Sequence, residues 1–222
     1  MRVTTWNRPR AEIQDSLDLL APLGADLVAL QECRRPDGDS PSAVWRGEYE
    51  PQGSAVVGSG ALPIEPIEIP SLHPTVVPVV VQGREPFVFV GVWTHPPYNE
   101  VAWTAMKASW DEAVRRSLPM VAAGDFNSSP RVQGQERKSP QFVQRMHDDL
   151  GLVSAWHHFT GEALGEETCA TYYHLQKESD PFHIDYCFLP ETWVGRLTGV
   201  EVGSFADWPK SDHKPLTVDL DV

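Results

Sequence analysis

Apolar residues in this chain gather in short runs separated by glycine, proline and charged loops. Met1 to Trp6, Asp26 to Glu32, Val44 to Tyr49, Gly53 to Val57, Ile64 to Ile69, Val76 to Val81 and Phe87 to Thr94 read as strands. Gly83-Arg84-Glu85-Pro86 is a hairpin turn between the last two. Met120 to Ala123 is a further buried strand, at the end of which Gly124 permits a sharp turn. Thr168 to Tyr173 and His183 to Leu189 read as paired strands, and Thr217 to Asp221 closes the sheet with Val218 and Leu220 facing inward. Helical spacing appears from Glu12 to Leu20 through Ile13, Leu17 and Leu20. It recurs from Asn99 to Ser117 through Trp103, Met106, Trp110, Ala113 and Val114, with Asn99 as cap. A third helix is predicted from Pro140 to Leu150, stopped by Gly151. The pattern predicts an α+β domain over residues 1–222, two antiparallel-rich sheets packed face to face with helices outside.

Polar residues punctuate the ends of these strands. Asn7, Glu32, His95, Asp125 with Asn127, and Asp212 with His213 all follow an apolar run or a short loop. Functional groups on loops held by a rigid scaffold are the usual arrangement of a site. Asp125 and Asn127 stand two apart, so an extended backbone projects both to one side, able to hold a metal, a water or a phosphate oxygen. An Asx-rich turn is the alternative, since Ser128-Ser129-Pro130 follows. In His183-Ile184-Asp185-Tyr186 the two polar residues share one face of a strand.

The net charge of −13 disfavours a protein that coats nucleic acid through a broad basic surface. It leaves cutting nucleic acid open, because a divalent cation reverses the sign of an acidic cleft. Cys33, Cys169 and Cys187 are odd in number and lack metal-type spacing, so reduced thiols in a cytoplasm are expected. No run approaches the ~18 apolar residues of a membrane span, and no leader precedes the first strand.

The six segments Thr5-Trp6-Asn7, Leu30-Gln31-Glu32, Trp93-Thr94-His95, Gly124-Asp125-Phe126-Asn127, His183-Ile184-Asp185-Tyr186 and Ser211-Asp212-His213 together resemble the endonuclease/exonuclease/phosphatase superfamily, the deoxyribonuclease-I-like fold. They follow the superfamily's order. The resemblance implies a four-layer α/β/β/α sandwich and Mg²⁺- or Mn²⁺-dependent hydrolysis of a phosphoester by in-line attack of water. By the same resemblance Glu32 is the main metal ligand, with Asn7 beside it and Asp212 as a second metal-side carboxylate. His213 contacts the scissile phosphate and is held by Asp185. Asp125 orients the attacking water, Asn127 holds a phosphate oxygen, and His95 lies near the leaving group.

The chain also departs from the pattern. Pro9 stands where many of the nucleases carry an acid, and His183 stands where arginine is common. Glu65 and Glu68 are the candidates for orienting His95. The motifs fix the bond type and leave the substrate open. Arg34-Arg35, Arg131 to Lys138, Tyr172-Tyr173-His174 and Trp208 with Lys210 can flank a nucleic acid, with Trp208 placed to stack on a base. A nuclease is the leading expectation. A phosphodiesterase or phosphatase for a nucleotide, sugar or lipid phosphate is the alternative, and a catalytically silent binding module the third.

Overall fold

The computed structural model describes residues 1–38, 40–49, 51–70, 72–74, 76–94, 99–131 and 139–222, the side chains at 49, 99 and 139–142 aside. Among the described residues two six-stranded sheets stack face to face. The first contains β1 (Arg2–Asn7), β2 (Leu27–Cys33), β3 (Ala43–Tyr49), β4 (Gln52–Gly58), β13 (Leu197–Val202) and β14 (Leu216–Leu220), in the order β13-β14-β1-β2-β4-β3. The second contains β5 (Ile64–Pro66), β6 (Val76–Val81), β7 (Phe87–Trp93), β8 (Met120–Asp125), β9 (Leu152–Ser154) and β12 (Asp185–Pro190), in the order β5-β6-β7-β8-β12-β9. Each sheet is mixed. β1 runs parallel to β2 and β7 parallel to β8, and the other pairs are antiparallel.

The four layers follow from how single strands feed two cores. In β7, Phe87 and Phe89 enter the gap between the sheets, while Val88, Val90 and Val92 pack outward. In β2, Leu27 and Ala29 face inward and Val28 and Leu30 outward. With both faces covered, such strands read as unbroken apolar runs, because neither parity is left to solvent. The outer face of the first sheet is covered by α1 (Ile13–Leu20) through Ile13 and Leu20. On the second sheet lie α2 (Asn99–Arg116), through Trp103, Met106 and Ala113, and α3 (Ser139–Asp148), through Met146. Gly151, at φ 61°, sends its N–H back to the His147 carbonyl (2.8 Å) and ends the α3 segment as predicted.

Several expectations need correction. Ile64 to Ile69 is a strand only as far as Pro66, beyond which the chain turns inward to bury Ile67. Thr168 to Tyr173 does not pair with His183 to Leu189. Instead β10 (Tyr172–Tyr173) pairs with β11 (Pro181–Phe182), and β12 lies between β8 and β9. Val114, one position round the helix from buried Ala113, is exposed. Strands β9 and β13 and the short helix α4 (Ala155–Thr160) carry no clear sequence signal. Each is brief or, as in β13, shows only weak alternation at the sheet's edge.

Both sheets present functional groups at one end of the sandwich. Asn7 and Glu32 lie toward the C-terminal ends of the parallel pair β1 and β2. Asp125 ends β8, and Asp185 begins the antiparallel neighbour β12, directly across from it. His213 precedes β14, which runs antiparallel to β1, so it arrives at the same end.

Candidate active site

Period-two alternation places Asp125 on the inward parity of Ala123, and Asp185 on that of Cys187. The apolar gap between the sheets therefore ends in two carboxylates that face each other in register. Between them stands His213. Its Nδ1 lies 2.9 Å from Asp185 Oδ2, and its Nε2 is 3.8 Å from Asp125 Oδ2. All three side chains are buried. The Nδ1–Asp185 contact fixes the tautomer and leaves Nε2 as the working nitrogen, pointed toward Asp125.

Asn7 links this triad to Glu32. Its Nδ2 donates to Asp125 Oδ2 (2.9 Å) and to Glu32 Oε1 (3.0 Å), while Gln52 Nε2 donates to Glu32 Oε2 (2.9 Å). Glu32 sits at a bulge between Leu30 and Cys33, with φ 56°. That left-handed backbone is uncommon for Glu and re-aims its side chain at the strand end. Asn127 is also left-handed, at φ 44°, so the stretch after Asp125 is an Asx turn and not extended chain. Its backbone N–H donates to Asp125 Oδ1 (2.8 Å), and its Nδ2 reaches Asp125 Oδ2 (3.0 Å) and the Thr94 carbonyl (2.6 Å). Gly124 makes the close approach possible, since a Cβ there would lie 1.8 Å from the Val92 carbonyl oxygen on β7.

Asp212 is half-exposed at the rim. Its carbonyl accepts the Tyr173 N–H (2.8 Å), and its charge acts on both Tyr172 and His213. The sites of Asn7, Glu32, Asp125, Asn127, Asp185, Asp212 and His213 thus come together at one end of the sandwich. His95 lies outside the described residues. Glu68 is largely exposed and 3.7 Å from Arg46, and Glu65 is exposed. His183 turns out to be a core residue. Its Nδ1 contacts the Cys169 carbonyl (2.9 Å), and its ring packs near Trp156 and Tyr186.

Sequence reasoning gave no role to three buried or half-buried groups that hold the site, Ser211 being quoted only as part of a segment. Ser211 Oγ donates to the Asn7 carbonyl (2.7 Å) and accepts the His213 N–H (3.0 Å), tying β1 to the histidine loop. A serine two residues before a site histidine is a recognisable turn signal. Gln52 and Thr171 have no such local cue. Tyr172 lies with its ring 4.7 Å from that of His213, and its hydroxyl contacts His174 Nδ1 (2.8 Å). Trp208 packs edge-on against Trp6 at 5.2 Å and is half-buried, so part of its ring serves the core.

The electrostatics express an excess of buried negative charge. Burial opposes the His213 imidazolium, but Asp185 and Asp125 outweigh it and raise the pKa to about 9. Burial raises Asp125 to about 7, with His213 pulling it down and Asp185 pushing it up. His213 thus owes its rise to the two acids around it, and Asp125 owes its own to burial first. Two oxygens add to that picture, because Asn7 Oδ1 and Asp185 Oδ1 are buried without a hydrogen-bond partner. The donors of Asp125, Asp185 and His213 lie within 4.8 Å of one another, yet His213 is already committed to Asp185. Carboxylate oxygens such as those of Glu32 and Asp212 are the donor chemistry that suits a hard divalent cation.

Residues 4–213 match the model of the Endonuclease/Exonuclease/phosphatase family. The chain belongs to this family. Membership places it among the phosphoester hydrolases. The fold agrees with solved structures across the family. A 3′-5′ exonuclease from Neisseria meningitidis is 22% identical over 100% of both chains, with a TM-score of 0.74. A 3′ phosphatase from Neisseria bound to product DNA hairpin is 20% identical over 100% of both, at 0.72. The endonuclease domain of a telomere-specific non-LTR retrotransposon is 17% identical, covering 99% of this chain and 97% of its own, at 0.66. No curated protein matches the sequence.

Proposed function

We propose that the chain is a divalent-cation-dependent nuclease-type phosphodiesterase that cleaves by in-line attack of water. The observation that carries this reading is the bonded series Glu32–Asn7–Asp125, with His213 clamped by Asp185 beside it. Glu32 and Asp212, with Asn7 beside them, would hold Mg²⁺, or Mn²⁺ in its place, and that cation would supply charge neutralisation at the phosphoryl oxygens and the leaving oxygen. Asp125 accepts a hydrogen bond from the attacking water and orients it toward phosphorus. His213, protonated and held by Asp185, donates from Nε2 to a phosphoryl oxygen and stabilises the charge that develops there. Asn127 spends its Nδ2 hydrogens on the Thr94 carbonyl and Asp125 Oδ2, so its part is to hold Asp125 in place beside the attacking water and not to donate to the phosphate.

Nucleic acid is favoured as substrate by the company the fold keeps: an exonuclease, a phosphatase bound to a DNA hairpin and an endonuclease domain. A reducing, cytoplasmic setting is supported by the three free cysteines; burial pushes Cys33 and Cys187 up to about 12. The test is hydrolysis, with and without Mg²⁺, of plasmid, single-stranded DNA and RNA beside nucleotide, sugar and lipid phosphates. Cation-dependent cleavage of a polynucleotide supports the reading. Cleavage of only the small phosphates replaces it with the small-molecule alternative, and no hydrolysis of any substrate overturns it.

A further inference from the structure

The two partners of the His213–Asp185 pair arrive from different sheets, and one buried residue joins their backbones. Asp185 opens β12 of the second sheet, while His213 lies on the loop entering β14 of the first. Between them runs the strip Thr171 to Tyr173. It bonds to the histidine loop at both ends: the Lys214 N–H donates to the Thr171 carbonyl (2.7 Å), and the Tyr173 N–H donates to the Asp212 carbonyl (2.8 Å). On the other side, Thr171 Oγ1 accepts the N–H groups of both Ile184 and Asp185, each at 3.0 Å. Thr171 is fully buried. At this junction its hydroxyl takes the place a sheet neighbour would fill for those two amides.

We propose that Thr171 is a positioning residue: its hydroxyl fixes where β12 begins relative to residues 212–214, and so sets the spacing between Asp185 and His213. Taken as a role in turnover, this rests on the hydrolytic reading above. Thr171 touches neither substrate nor the reacting atoms and acts through Asp185. Without the hydroxyl, two buried amides lose their acceptor, and the start of β12 must shift or admit water to satisfy them. A displacement of about 1 Å in a catalytic pair is enough to cost on the order of a hundredfold in rate. Substrate binding need not change, since Glu32 and Asn7 are held by other bonds.

The experiment compares the full chain with its Thr171→Val, Thr171→Ser and Thr171→Ala variants. Two readouts are taken: steady-state hydrolysis of a DNA oligonucleotide with Mg²⁺, and the downfield proton resonance of the His213 Nδ1–Asp185 bond by NMR. Valine keeps the shape and removes the acceptor. The expected result is a fall in kcat of about tenfold to a hundredfold at nearly constant KM, an upfield shift or loss of the resonance, and recovery of both in Thr171→Ser. If Thr171→Val fails to fold, the Ser and Ala pair decides in the same way, with Ser near wild type and Ala reduced. Retention of wild-type kcat and resonance in a folded Val or Ala variant overturns the proposal, as does failure of Ser to recover either. If the wild-type chain hydrolyses nothing, the functional reading fails, and the resonance still decides whether Thr171 sets the pair.

Discussion

Replacing Asp185 by Asn tests the electrostatic core of the site with one change of charge and almost none of shape. His213 carries a pKa raised from 6.5 to about 9 although burial alone would lower it. That net rise corresponds to about 3 kcal/mol in favour of the imidazolium. Asp185 supplies most of it, through charge and through the 2.9 Å bond to Nδ1. In Asp185→Asn the burial remains and the nearer acid is gone, so the histidine drops to or below its ordinary range and is neutral at pH 8. A neutral imidazole that keeps its proton on Nδ1 has none to donate from Nε2, and kcat should fall by roughly a hundredfold to ten-thousandfold. The stability linkage has a definite sign. A pKa raised by folding contributes stability that is complete below 6.5 and is lost as pH rises through about 9. The gap in thermal stability between wild type and Asp185→Asn should therefore narrow above pH 9. The assays are kcat against pH with saturating Mg²⁺, an NMR titration of the His213 ring, and thermal unfolding at pH 6 and pH 10. A variant that kept kcat within tenfold of wild type, or whose His213 still titrated near 9, would refute the reasoning.

Other expectations follow from single contacts. Glu32→Ala should abolish turnover at physiological Mg²⁺ and weaken Mg²⁺ binding by calorimetry, while His213→Ala should abolish turnover and leave Mg²⁺ binding nearly intact; wild-type rate in either variant refutes the assignment. Gly124→Ala should destabilise the fold by about 3 kcal/mol or more in urea unfolding, because the added Cβ meets backbone that cannot swing aside; an unchanged midpoint contradicts this. Burial lowers the pKa of His183 in the fold, so its contribution to stability is present above its unfolded value and is lost as pH falls through its folded value. His183→Gln should therefore show a shallower loss of thermal stability between pH 7 and pH 5 than wild type, and parallel curves would remove His183 from the account.

Much of the layer plan was legible because strands buried on both faces leave unbroken apolar runs. Val76 to Val81 and Phe87 to Trp93 were placed nearly to the residue. Strand pairing was less legible. Tyr172 and Tyr173 have good strand chemistry, but only tertiary contacts decide that they join Pro181 and Phe182 and the histidine loop in place of β12. The acids and His213 could be listed from strand ends, since a polar residue closing an apolar run stands out. The residues that hold them could not. Thr171 looks like an ordinary strand residue and Gln52 like a loop residue ahead of one, and their roles exist only because distant backbone or side chains come to them. The Asx turn at Asn127 was visible as an alternative, and the fold shows that turn, with the bonds that bend the chain also holding the Asp125 carboxylate.

Gly91 lies on the inward face of β7, and a methyl group added there would come within 2.8 Å of a Val56 methyl on the opposing sheet. The polar cluster is divided between the two sheets, so a wedge between them would pry it apart from behind without changing any of its residues. Fidelity of hydrophobic fit deep in the sandwich is thus a condition for chemistry at its mouth, and random substitutions that cripple the protein should be found as readily in this dry spine as among the acids themselves.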